Sequence, residues 1–332
     1  FHGHKSAVYS AAFFKKKNQL LTAAKTIKIW DLKSGKPIKT LKGFTPSLVQ
    51  ADVSKDGNFA LVLNSVNISD PRKDKARSYS YIRGKYKLFL TLWNLKSTRI
   101  LWTQVPSLKK IRRIKITPDN KHFIMGSGNK TIQIHDLATG KRIHKLNAHN
   151  NWVTTIKISP NGKFFLSGSK DKTVKLWNIK TGKLLKTISV NKDVLSLAYT
   201  PNGKQFLLGS WSKPIELWEI QTAKKLKTYY QPRKDKYYPN YFSLALSPKE
   251  NLFLAGTGRG YFQLWNLKSG KLELKKWDRA SLKVNFSQNG ELAILGSGDT
   301  VKIWNIEDHE ILYTLRGNFN GIVNPSFINN HQ

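Results

Sequence analysis

The chain contains no cysteine, so it can build neither a disulfide framework nor a thiolate metal site, and cysteine usage leaves its redox compartment unnamed. Its 332 residues hold no apolar run near the roughly 18 that a membrane helix needs. Phe1 to Lys5 lack the charged start and apolar stretch of a signal peptide, and the expectation is a cytoplasmic protein. Acidic residues are scarce: 20 Asp+Glu stand against 57 Lys+Arg, scattered so that no pair falls together for acid–base work. A Walker-type phosphate loop and an HExxH pair are missing too. The glycine run GTGRG from Gly256 lies in a turn and opens no helix, so it lacks a phosphate-binding context. His2-Gly3-His4 could catch a metal ion, yet Gly3-His4 also fits the start of a structural repeat. The reading is a protein without catalytic residues, metal or cofactor.

What the chain does have is periodicity. An apolar-x-Trp-polar signature recurs at Ile29-Trp30-Asp31, Leu92-Trp93-Asn94, Leu176-Trp177-Asn178, Leu217-Trp218-Glu219, Leu264-Trp265-Asn266 and Ile303-Trp304-Asn305, with Ile134-His135-Asp136 in the third place. Successive spacings are 63, 42, 42, 41, 47 and 39 residues, close to the roughly 40 to 45 of one propeller blade once two insertions are allowed for. Upstream of the signatures lie apolar runs ending in small residues, such as FIMGSG from Phe123 and FLSGS from Phe164. Before these come alternating strands closed by Asn-Gly turns, as in IKISPNG from Ile156 and VNFSQNG from Val284, where glycine supplies positive φ. After the signature, a Lys-Ser-Gly or Lys-Thr-Gly turn leads to a fourth strand. No stretch keeps a 3.6-residue apolar period, so each unit reads as a four-stranded antiparallel sheet in an all-β chain.

On these seven units the chain resembles the WD-repeat β-propeller family over nearly its whole length. The resemblance implies a seven-bladed propeller over residues 1–316. Residues 317–332 form an extension whose GNFNGIVNPSF, from Gly317, looks like the opening of another repeat. In that family a histidine before the first strand, a Ser or Thr in the second, an Asp in the next turn and the Trp of the third form a buried network. Only the fourth unit has the full set, in His149, Ser167 or Ser169, Asp171 and Trp177; Phe44 stands where another histidine would be, and His135 replaces a tryptophan. The set reads as blade-stabilising and not as chemistry.

The cation excess is overwhelmingly lysine, 46 Lys to 11 Arg, with a formal net charge of +37. Such a surface draws anions: nucleic acid, anionic membrane or acidic protein. Lysines also keep strand edges from pairing with other chains, and both readings stand. Loops between blades, and between the second and third strands of a blade, emerge on one face, the top. Both insertions fall there, at residues 67–87 and 229–241, and both contain Pro-Arg-Lys-Asp-Lys. Arg72, Lys73, Arg77, Arg233 and Lys234 in these tyrosine-rich loops are candidate anion contacts. Residues at the head of the innermost strands line the top of the axial channel, where relatives in the family hold peptides. Of these Tyr9, Lys110, Arg112, Trp152 and Tyr241, with Trp211 in a nearby turn, are the residue types that dominate binding energy. The expected function is non-catalytic recognition of a protein or peptide, acidic in character, by the interaction part of a larger multidomain protein. The alternative is sequence-independent nucleic-acid binding on the same face.

Overall fold

The computed structural model describes residues 2–4, 10–14, 19–23, 26–31, 36–41, 47–67, 86–108, 110–230, 239–249, 251–258, 260–277, 283–287, 289–297, 300–317 and 324–327. Alternating apolar residues and hydroxyl-capped turns give seven sheets, each with four consecutive antiparallel strands: a seven-bladed β-propeller. Blade four runs through Val153–Ile158, Phe164–Ser169, Thr173–Asn178 and Leu184–Ser189 from the innermost strand outward. Its first hairpin shows why the turn sequence recurs. Gly162, at φ 71°, donates its N–H to the Ser159 carbonyl at 2.9 Å, and the Ser159 hydroxyl donates to Asn161 Oδ1 at 2.7 Å. Thr200, Asn202 and Gly203 repeat the arrangement in blade five, whereas blade three uses Thr117, Asp119 and a positive-φ Asn120.

The core is a series of clusters between adjacent blades. Leu61, Leu63, Leu90 and Leu92 of blade two pack with Ile111, Ile114 and Phe123 of blade three. Ile124, Ile132 and Ile134 of blade three then meet Val153, Ile156 and Phe165 of blade four. The small residues that close the second strands are required by this packing. A Cβ on Gly126 would lie 2.7 Å from Ile156 Cδ1, and one on Gly209 would lie 2.8 Å from Tyr241 Cβ. Polar side chains of the innermost strands stitch the same seams to backbone. Ile114 N–H donates to Gln50 Oε1 at 3.0 Å, Ser196 Oγ to the Tyr241 carbonyl at 2.8 Å, and Val284 N–H to Ser243 Oγ at 3.1 Å.

The ring closes where the chain ends meet. His2–His4 runs parallel to Ile311–Gly317 of blade seven, and Asn324–Phe327 runs parallel to Ser10–Phe14 of blade one on its axial side. The segment that reads as the opening of another repeat thus contributes a fifth strand to blade one. Among the described residues no helix is long and apolar enough to cross a membrane, and no cluster of His, Asp or Glu could hold a metal ion.

Candidate functional site

The best-defined part of the top face is pinned by blade four. Trp177 Nε1 donates to Ser167 Oγ at 2.9 Å, Ser167 Oγ lies 2.7 Å from His149 Nε2, and His149 Nδ1 lies 2.9 Å from Asp171 Oδ2. One proton assignment satisfies every member: Ser167 donates to an unprotonated Nε2, and Nδ1–H donates to the carboxylate. Of the two serines compatible with the sequence, Ser167 is therefore the network member. Burial holds the His149 imidazole below its usual pKa against the pull of Asp171. Burial would raise the Asp171 carboxyl, but hydrogen bonds from Thr173, the Asn150 N–H and His149 hold it below the usual carboxylate range. The carboxylate accepts the Asn150 N–H at 2.9 Å, and Lys170 N–H donates to the Trp152 carbonyl at 3.1 Å. The network thereby fixes the loop that carries Trp152.

Trp152 is half-buried, and two cations lie over its ring. The Arg112 guanidinium carbon is 4.3 Å from the centroid and Lys170 Nζ is 4.8 Å from it. Arg112 is exposed and lies across Gly128, where a Cβ would come within 3.2 Å of its Nε. Lys110, the blade-three counterpart of Trp152 by strand register, is exposed nearby with φ 54°. Lys170 was not among the residues expected from sequence. It stands in the turn after the second strand, a position that Trp211 occupies in blade five. Trp211 is 42% exposed and meets Phe242 edge-on at 5.4 Å, so a second aromatic point stands at blades five and six.

Tyr241 is a correction. It is fully buried beside Tyr229, Phe253 and Trp265, and no surface contact is open to it. A bulge between Tyr241 and Ser243 puts Tyr241 opposite Thr257, as Val153 stands opposite Ser169. It is therefore the counterpart of buried Val153 and not of Trp152, one position away from the expected alignment. The corresponding bulge between Leu48 and Gln50 likewise turns Gln50 into the seam, where it is buried. Tyr9, Arg72, Lys73, Arg77, Arg233 and Lys234 lie outside the described residues.

The other blades do not all answer the buried indole in this way. Trp30 Nε1 donates to Thr22 Oγ1 at 2.6 Å, the arrangement of blade four. Trp218 and Trp265 instead donate to side chains two residues earlier on their own strand, Glu216 Oε2 at 2.9 Å and Gln263 Oε1 at 3.1 Å. In blade three His135 stacks on Phe123 with centroids 4.8 Å apart, as Trp177 stacks on Phe165 at 6.0 Å. Its Nδ1 lies 2.9 Å from the Gly140 carbonyl, and burial lowers its pKa.

A ring of seven sheets, each with four consecutive antiparallel strands, defines a β-propeller. A family model described as "WD domain, G-beta repeat" matches residues 1–31 and 140–178, the latter spanning blade four. That match and seven blades of one plan make the chain similar to the WD-repeat propellers. It is 27% identical over 145 residues to the guanine nucleotide-binding protein subunit beta of Oryza sativa subsp. japonica, covering 42% of this chain and 34% of that protein. It is 29% identical over 140 residues to protein tipD of Dictyostelium discoideum, covering 42% of this chain and 19% of the relative. The aligned part thus spans about a third and a fifth of the length of these curated relatives. Propellers of this family serve generally as protein-interaction scaffolds.

Proposed function

We propose that the propeller is a non-catalytic, cytoplasmic recognition module that binds an acidic segment of a partner protein on its top face, as part of a larger multidomain protein. The observation that carries this reading is the Trp152 ring, held half-exposed on a network-pinned loop with Arg112 and Lys170 over it. A rigid aromatic costs little entropy to engage, and the guanidinium can still donate to a carboxylate in its plane while its face stays on the indole. The relative from rice is by name a subunit, a protein that works in company with other chains. The two basic insertions would extend the same surface. The test is a salt titration with an acidic peptide, duplex DNA and single-stranded DNA, repeated with Trp152→Ala and Arg112→Ala. Peptide binding weakened about tenfold by either substitution, the loss of about 1.4 kcal/mol expected at a hot spot, supports the reading. Tight nucleic-acid binding whose log K falls steeply with log salt, with no peptide binding, overturns it.

A further inference from the structure

A second concentration of charge lies inside the ring. Strand register puts Gln50, Arg113, Thr155, Ser196, Ser243 and Lys283 at one level of the innermost strands, each paired one step from the blade's bulge or its equivalent. Asp52, Lys115, Lys157, Ala198, Ala245 and Asn285 occupy the level two residues further on. Four cations therefore stand in two levels on blades three, four and seven. Asp52 is the only carboxylate at these levels among the described residues, and it is already engaged: it pairs with Lys115 Nζ and accepts the Ile116 N–H at 2.8 Å.

The remaining three cations have little to neutralise them. Arg113 Nη1 donates to the Arg112 carbonyl at 2.7 Å and Lys283 Nζ to the Phe242 carbonyl at 3.3 Å. Lys283 belongs to blade seven, on the far side of the ring from blades three and four, yet it senses the charges of Arg113 and Lys157. The three side chains thus converge on the axis. All are half-buried, reached by water but surrounded by protein. Desolvation, with repulsion from Arg112 for Arg113, from Lys115 and Arg113 for Lys157, and from Arg113 and Lys157 for Lys283, pushes Arg113 down to about 10, Lys157 to about 8 and Lys283 to about 7. Folding gains nothing from confining three like charges there, since Gln or Met would fill the same space without repulsion.

We propose that the axial channel is a binding site for a compact oligophosphate, with Arg113 and Lys283 gripping one end and Lys157, beside the Lys115–Asp52 pair, the other. The two levels are separated by about 6.6 Å, two residues at about 3.3 Å each, which suits an elongated anion charged along its length better than a single small ion. Guanidinium and ammonium donors around a low-dielectric channel strengthen each contact relative to water. The bound anion restores full protonation of Lys157 and Lys283, so binding takes up protons and weakens as pH rises through about 7 to 8. This site is separate from the top-face cluster, and either can fail alone.

The experiment is calorimetric titration of the chain with tripolyphosphate, a nucleoside triphosphate, inorganic phosphate and an acidic peptide, at pH 6.5 and 8.5 in two buffers of different ionisation enthalpy. Tripolyphosphate is expected to bind one to one, at least tenfold tighter than inorganic phosphate, with proton uptake. Comparable binding of the nucleoside triphosphate would assign the source as nucleotide phosphates, and its exclusion would assign free oligophosphate; both outcomes support the site. The triple variant Arg113→Gln, Lys157→Gln, Lys283→Gln should lose the binding and keep or raise its melting temperature. A control removing three exposed lysines, Lys121→Gln, Lys163→Gln and Lys204→Gln, should retain it. Equal weakening in both variants, preference for the acidic peptide in the channel variant's parent, or binding independent of pH would overturn the proposal.

Discussion

Blades four and five face the same need, an indole N–H inside a sheet, and meet it from opposite directions. Blade four reaches inward to a hydroxyl on the neighbouring strand, and Ser167 then relays the contact through His149 to Asp171 and the top loop. Blade five reaches along its own strand to Glu216, which binds Lys192 at 2.8 Å and Lys225 at 3.4 Å. One arrangement is neutral at its centre and charged at its rim; the other places a carboxylate in the interior and needs a cation to hold it there. The first leaves the loop cation Lys170 free to lie on Trp152, whereas the second consumes Lys192 as a counter-ion. The family's hydrogen-bonded set is thus one of two designs that serve the indoles of blades one, four, five and six, and the choice decides which lysines remain available to a partner.

The largest expected effect comes from removing the carboxylate. Glu216→Ala strands Lys192, whose side chain is only 13% exposed, and deprives Trp218 of its acceptor. Breaking one partner out of a buried pair costs about 3 kcal/mol, so the urea midpoint should fall further than for any single change in blade four. Glu216→Gln keeps the acceptor and should cost about half as much. Ser167→Ala comes next, at about 2 kcal/mol, because it leaves both the indole N–H and His149 Nε2 unsatisfied in the interior. If Ser167→Ala proves the costlier of the two, the neutral relay and not the ion pair is the stronger clamp.

The pH dependence separates the two designs further. His149 is held neutral by burial, so its folded pKa lies below the unfolded value of about 6.5. Acidification then favours the unfolded chain, which binds the proton more readily, and the stability present above about pH 6.5 is lost as pH falls toward the folded pKa. His149→Asn should flatten thermal stability between about pH 6.5 and 5 at the price of a lower plateau. His135 is depressed in the same direction, so some acid sensitivity will remain.

Blade number, strand order and the position of the network were legible because each rests on local chemistry repeated around the ring: turn glycines, alternation, and an indole at a fixed step in six of the seven blades. Tyr241 was misread because a bulge shifts register by one residue, and one residue turns a surface side chain into a core one. The same bulge recurs at Val153 and Ile111, where an apolar side chain fits a pattern of apolar positions and so hides the shift. The second design for the indole could have been found. Glu216 and Gln263 each sit two residues before a tryptophan, which in a strand means the same face. The channel cations were invisible for another reason: Arg113, Lys157 and Lys283 lie 44 and 126 residues apart in sequence, and only ring closure makes them neighbours.

The smallest expected effect is also the sharpest comparison, because it sets two lysines of the same face against each other. Lys170 and Lys192 both occupy top loops around blade four, one on the Trp152 ring and the other on the Glu216 carboxylate. A cation over a half-exposed ring contributes about 0.5 to 1 kcal/mol, part of which Arg112 retains when Lys170 is gone. The Trp152 loop also stays fixed, since Asp171 still accepts the Asn150 N–H. Lys170→Ala should therefore lower stability by about 0.5 kcal/mol while weakening an acidic peptide severalfold. Lys192→Ala leaves Glu216 with only the more distant Lys225 and should lower stability by about 2 kcal/mol without touching the peptide. Paired denaturation and binding curves for the two variants decide the matter. If Lys192→Ala weakens the peptide as much as Lys170→Ala does, the partner reads the overall positive charge of the face, and the Trp152 cluster has no privileged place on it.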